Sequence, residues 1–311
     1  VRVLPPSGDQ FEIAAGGYRA VVTESGGALR VLSYGGRDLV DGFPEHETSA
    51  GGRGQLLVPW PNRVRDGQYS FGGREHQLAL TEPKRHNASH GLARWAAWTV
   101  QEHTAHSVAL TYRLMAQTGY PWTVDLSVVY DLSADGLTVT QTATNGSDTP
   151  APYASGAHPY LAVGAGPVDG LELTMPAATR LLVDPERLLP TGEREPVDGT
   201  PYDFRVARPL RGVALNDSFT DLARDATGVA TAVLRDPGSG LGVALWVDGH
   251  HRWLLLYTAD DVPATARRSL AVEPMTAPPD ALRSGDDLLT LGPAGSADDE
   301  ISATWGIRTV D

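Results

Sequence analysis

Between His106 and Asn145 the chain alternates. HSVALTYRLM sets Val108, Leu110, Tyr112 and Leu114 on one side, and WTVDLSVVYDL does the same with Trp122, Val124, Leu126 and Val128. A period of two is the spacing of a half-buried strand, whose side chains point to opposite faces in turn. The second run passes through SADG (133–136) into LTVTQTATN, where threonines 138, 140, 142 and 144 line one side, so a hairpin with a polar face is expected. TAVLRDPGSGLGVALWVDG repeats the arrangement, with Asp236-Pro237-Gly238 opening the turn and Leu241, Val243, Leu245 and Val247 alternating after it. The 34 glycines and 23 prolines are spread as punctuation, as at SGG (25–27), YGG (34–36) and FGG (71–73), rather than gathered in a linker. No 3.6-residue period lasts three turns; the best helical stretch is DDVPATARRSL (260–270). The expected class is all-β, a large antiparallel β-sandwich forming one domain over residues 1–311.

Charge narrows the partners. Thirty-eight acidic residues against 25 basic ones give a net charge of −13, and no basic cluster interrupts the excess. Nucleic-acid affinity rests on neutralising phosphates, so no nucleic-acid partner is expected. A neutral small molecule is the natural ligand for such a surface. With no cysteine there is no disulfide, thiolate metal site or cysteine nucleophile. No apolar run approaches the roughly 18 residues of a membrane helix, and the basic-then-apolar order of a signal peptide is missing from the N-terminus, so no membrane partner is expected.

Nucleophile elbows, phosphate loops and dinucleotide fingerprints are not written in this chain. His250 and His251 in VDGHHRW read as solvated turn residues, as do His103 and His106 in QEHTAHS, and no metal site is expected from them. Glu273, in LAVEPM, ends an apolar strand at Pro274, which lacks an N–H. It is either a salt-bridged structural residue or a carboxylate placed at a sheet rim for function. His158 precedes Pro159, which holds its backbone extended, and Gly156 and Ala157 leave room around the ring. A satisfied core histidine and a functional one are both open for it, and for His90 in NASHG. The three together admit a two-histidine, one-carboxylate metal site, although each comes from a separate segment.

In order along the chain, GQLLVPWPNRVRDGQYSFGG, NASHGL, AHPY, LLPTGEREPVDGTPYDFR, LNDSFTDL and LAVEPM together resemble the aldose 1-epimerase (galactose mutarotase) family. The resemblance runs from about Gly54 to Leu291, and LPTGE with DFR is its most specific piece. It implies a large β-sandwich without cofactor that interconverts the anomers of a free sugar, in the cytoplasm, as a monomer or homodimer. Glu273 would then be the catalytic base and His158 the acid, with His90, Arg63 and Asn62 holding sugar oxygens. The family's Leu-Asp-His is Leu215-Asn216-Asp217 here, so the binding aspartate is displaced to Asp217 or replaced by Asn216, and a usual glutamine is Leu255 in WLLLYT.

Mutarotation needs one group to take the anomeric hydroxyl proton while another gives a proton to the ring oxygen. An ionised carboxylate and an imidazolium suit those tasks, with Glu273 expected to raise the proton affinity of His158. Arg63 would offer a donor fork to hydroxyls, and Trp60 is expected in the core rather than against a sugar face. Rival readings are a non-catalytic sugar-binding relative, a hexose-phosphate mutarotase using Lys84, Arg85 and Arg94, and a glycoside hydrolase.

Overall fold

The computed structural model describes residues 3–311; Val1 and Arg2, the first two residues of the expected domain, lie outside the described residues. Each alternating run is a strand. Val124–Ser133 lies between Ser107–Leu114 and Gly136–Asn145 and pairs antiparallel with both. Its Val124, Leu126, Val128 and Tyr130 are buried, and the residues between them turn outward. Burying an aliphatic side chain contributes about 1.5–3 kcal/mol, so a one-residue slip, which would expose the whole set, is strongly disfavoured. The threonines of the following strand face away from the core and join their neighbour through hydroxyls: Thr140 meets Thr304 at 3.3 Å, Thr142 meets Ser302 at 2.7 Å, and Thr144 donates to Glu300 at 2.9 Å.

Nine strands form the largest sheet, in which Gly242–Val247, Glu300–Val310, Gly136–Asn145 and Val124–Ser133 are consecutive neighbours. A six-stranded sheet runs in the order Tyr160–Leu161, Leu270–Met275, Trp253–Tyr257, Asn216–Leu222, Ala177–Val183, Pro190–Pro196. A four-stranded sheet is built from the N-terminal strands between Gln10 and Asp38, and three two-stranded ribbons complete the set among the described residues. One core cluster takes Val128, Val139, Leu245 and Ile307 from the largest sheet and Phe219, Leu254, Leu256 and Val272 from the six-stranded one, the inside of a sandwich. Trp60 belongs to the same cluster.

Alternation gives the six-stranded sheet a second, different face. Trp253, Leu255 and Met275 turn away from the main core and pack with Leu181 in a small cluster of their own. Glu273, registered opposite Leu255, belongs to this face.

The helix expected over 260–270 does not form. The segment is a chain of turns in which Val262, Thr265 and Arg268 each donate to the residue three before, Pro263 supplies no N–H, and Arg267 takes φ 55°. Side-chain bonds from Arg267 to Asp169, Asp260 and the carbonyls of Leu210 and Val213 outweigh what a short helix would gain. The only α-helix among the described residues is the single turn Ala281–Ser284.

Leu256→Ala, in the fully buried layer between the sheets, is expected to cost about 2–5 kcal/mol in urea unfolding, whereas Thr142→Val on the outer hydroxyl ladder should stay within about 0.5 kcal/mol.

Candidate active site

The strand Leu270–Met275 delivers Glu273 to the second face of the six-stranded sheet, with its side chain 2% exposed. The next residue, Pro274, has no N–H, but its carbonyl accepts from Ala157 at 3.1 Å and so ties the carboxylate strand to the AHPY segment. His158 is clamped from the other side: its N–H donates to Gln55 and its carbonyl accepts from Gly54, at 3.0 and 2.9 Å. Between these two anchors His158 Nε2 comes to 3.2 Å from Glu273 Oε1.

The imidazole is also held flat. It stacks on Tyr160 with centroids 4.9 Å apart and planes 13° from parallel, and the Tyr160 hydroxyl donates to Gly51 at 2.8 Å. Arg53 lies 4.3 Å from the centre of the tyrosine ring and is held by Asp41 and the carbonyl of Ala50. Gly52, at φ 77°, passes so close that a Cβ there would sit 2.7 Å from His158 Cδ2. The GGRG run at 51–54 is thus a fitted wall behind the imidazole, a role that glycine spacing alone did not announce.

His90 comes from the two-stranded ribbon of Arg63–Arg65 with Asn87–Ser89. Its backbone is left-handed (φ 61°), its N–H donates to Asn62 at 2.8 Å, and its ring meets His158 edge-on at 5.6 Å between centroids. Gly91 follows at φ 72°, where a Cβ would lie 2.0 Å from the Val58 carbonyl oxygen, so the SHG turn admits only glycine. Arg63 does not offer its whole fork: Nε and Nη2 grip the two carboxylate oxygens of Glu82 at 2.8 and 3.0 Å, and Nη1 leans on Asn62 Oδ1 at 3.4 Å. Glu82 is a site residue that the sequence did not single out, because it stands in an unremarkable polar loop.

Asn62, Arg63, His90, His158 and Glu273 line one cavity of about 300 Å³, with Glu82, Arg94, Trp95, Asn216 and Tyr257 among its other walls. Asp217 is not among them. Adjacent strand residues face opposite ways, and Asp217 turns to Arg180, 2.8 Å away, in a neighbouring hollow, while Asn216 faces the cavity. Leu255 stands opposite Glu273 in register, so an apolar side chain neighbours the carboxyl at that position. Among the described residues no group of three His, Asp or Glu side chains is placed to hold a metal ion. His251 departs from its expected solvated turn: it is fully buried, with its N–H and Nδ1 both turned to Asp248 Oδ1, the ring nitrogen at 2.9 Å, whereas His250 is exposed.

A family model for aldose 1-epimerase matches residues 9–303. The chain belongs to the aldose 1-epimerase family. It is 35% identical to the uncharacterized protein YihR of Escherichia coli over 92% of this chain and 89% of that protein. The human galactose mutarotase is 32% identical over 57% of this chain and 54% of its own length. Two solved structures share the fold: a GalM/aldose epimerase homologue from C. elegans (TM-score 0.85, 22% identity, 97% of this chain and 98% of that one) and the galactose 1-epimerase of Lactobacillus acidophilus (TM-score 0.78, 22% identity, 94% and 91%).

Within this family member the buried pair obeys desolvation first. Burial pushes the Glu273 carboxyl up to about 8, against the nearby charge of Arg63. It pushes His158 down to about 3, and the charges of Arg53, Arg94 and Arg63 act in the same direction. The sequence-based expectation that Glu273 would raise His158 is therefore reversed: loss of water outweighs the partner. His90 is likewise held well below its ordinary value, by burial and then by His158. Glu82 is different, because burial pushes it up but the Arg63 bonds win and keep it low.

Stability carries the signature of this. Below the ordinary carboxyl value of 4.5 Glu273 is protonated in folded and unfolded chains alike, but up to about 8 only the folded chain keeps the proton. Its contribution is thus present at acid pH and lost as pH rises through about 8. Glu273→Gln cannot ionise, so its stability relative to wild type is expected to rise steadily across that window; thermal unfolding from pH 5 to 9 measures it, and a pH-independent difference would contradict the assignment.

Proposed function

We propose that the protein catalyses mutarotation of an aldose, with Glu273 as base and His158 as acid. The observation that carries this reading is the 3.2 Å approach of a buried imidazole to a buried carboxyl at the wall of a cavity sized for one sugar ring. Burial leaves the pair one mobile proton and favours it on Glu273. A sugar brings hydroxyl groups that solvate charge, which favours the alternative tautomer, carboxylate and imidazolium.

From that tautomer the ring opens. Glu273 takes the proton of the anomeric hydroxyl as its oxygen becomes the aldehyde oxygen, while His158 gives a proton to the ring oxygen as the bond from C1 to that oxygen breaks. The pair is then carboxyl and neutral imidazole, the state that burial prefers. Rotation about the C1–C2 bond presents the other aldehyde face. On closure His158 recovers the proton from the attacking hydroxyl and Glu273 returns one to the new anomeric oxygen, so both groups end as they began. Asn62, His90 and the Nη1 edge of Arg63, which already donates to Asn62, would fix the sugar hydroxyls against this pair, and Asn216 would take the place expected of Asp217. No step calls on a cofactor, and one domain contains every group named.

Polarimetry on fresh α-D-glucose and α-D-galactose tests the reading. Added protein should accelerate the approach to the equilibrium rotation, and Glu273→Gln should lose about 10² to 10⁴ of that acceleration; near-normal activity in the variant would remove Glu273 from the mechanism.

The pH profile offers a second test. The mobile proton is held up to about pH 8, so kcat/KM is expected to fall on the alkaline side of that value. A profile flat to pH 10 would show that no such proton is used.

A further inference from the structure

Two arginines line the cavity, and they differ in one respect. Arg63 is held by the Glu82 carboxylate through two hydrogen bonds. Among the described residues Arg94 has no carboxylate within salt-bridge distance, and its guanidinium makes no hydrogen bond to any protein group; its one close companion is the ring of Trp95, 5.4 Å away. It is also only partly exposed, and burial alone displaces its proton affinity, downward. Its five N–H donors have no protein partner and remain open at the cavity wall. Such a fork, half-buried and without a counter-charge, is placed to take an oxyanion. Arg180, by contrast, has both Asp217 and Glu195, and Arg267 has both Asp169 and Asp260.

We propose that Arg94 is the receptor for an acidic substituent on the sugar, so that the preferred substrate is an anionic aldose carrying a phosphate or carboxylate group rather than a neutral hexose. This inference rests on the mutarotase reading of the same cavity and adds the substrate class to it. The net charge of −13 argues for a neutral ligand only at long range; at the cavity wall Arg94 is a cation without a carboxylate partner, the Asp261 carboxylate on the same wall accepts from the Tyr257 hydroxyl at 2.6 Å, and a fork of N–H donors binds planar or tetrahedral oxyanions well. Lys84 and Arg85 do not share the task. Lys84 is exposed and outside the cavity, and Arg85 is paired with Glu82.

Arg94 also reaches the acid. Its charge weighs against the protonated form of both His158 and His90. An anion seated on Arg94 offsets that charge and so helps the pair keep the mobile proton that ring opening requires. Substrates bearing the acidic group would thereby be bound and activated by one contact.

The test compares kcat/KM for glucose, glucose 6-phosphate and glucuronate in wild type, Arg94→Ala and Arg94→Lys. Wild type is expected to favour one or both anionic sugars by about ten- to a hundredfold, the worth of one charge-assisted contact, and the preference should shrink as salt is raised. Which of the two anions is favoured separates phosphate from carboxylate. Arg94→Ala should collapse the ratio of anionic to neutral kcat/KM, and Arg94→Lys should restore most of it. Equal or better turnover of glucose by wild type, or an unchanged ratio in Arg94→Ala, overturns the proposal while leaving mutarotation intact. Where no sugar is accelerated, the mutarotase reading fails by itself; calorimetric binding of the same three sugars then decides for Arg94, and equal affinity for glucose and the anions overturns it.

Discussion

A carboxyl and an imidazole held 3.2 Å apart out of water form the constraint around which the rest of this molecule is arranged. Neither group would choose the position. Each loses its hydration, and each answers by preferring its neutral form. Keeping them together therefore requires a frame that does not yield, and the frame is backbone. Glu273 rides on an interior strand of the six-stranded sheet, next to its edge, with Trp253–Tyr257 on one side and Tyr160–Leu161 on the other. His158 is fixed by main-chain bonds to Gln55 and Gly54, and its ring by Tyr160 and the nearby Gly52. Atoms that remain buried without partners, His158 Nδ1, His90 Nδ1 and Glu273 Oε2, mark where that frame leaves capacity for a ligand.

The loops that finish the cavity take conformations that most residues avoid. Asn62, His90 and Asp280 all have φ between 54 and 65°. Such positions cost free energy and persist only where surrounding contacts insist on them. Here the contacts are mutual. Asn62 receives the N–H of His90, and Asp280 donates its own N–H to Arg63 at 2.6 Å while its carboxylate accepts from Arg65 at 2.8 Å. The PPD run after Glu273 is thereby an anchor for the PNRV run, and two segments more than two hundred residues apart are locked into one wall.

Period-two alternation made the strands legible because burial rewards one face of each strand, and it made the outer threonine ladder legible for the same reason. It could not say that Glu273 and His158 meet, since convergence of distant segments is a property of sheet order; the ordered resemblance to a family supplied it. Alternation would have decided between Asn216 and Asp217 had the inward face of that strand been known, because only one of two neighbours can face a cavity. Glu82 left no trace in the pattern, as its significance is a partnership with Arg63 across a ribbon. The failed helix at 260–270 and the buried His251 share a cause: in each, side-chain bonds to other elements, Arg267 to Asp169 and His251 to Asp248, overrode what the local sequence preferred.

The arginines near the pair raise a last question, whether a field from Arg53, Arg63 and Arg94 traps the mobile proton on one partner. It need not. A cation opposes protonation of His158 and opposes protonation of Glu273 alike. Moving a proton between two atoms 3.2 Å apart therefore changes its energy in a distant cation's field only by the small difference in potential across that gap. What decides the resting place is local: the water each group has lost, and any oxygen a ligand brings within reach. A site built this way can hold several positive charges and still let the proton pass in both directions, which the proposed mutarotation demands.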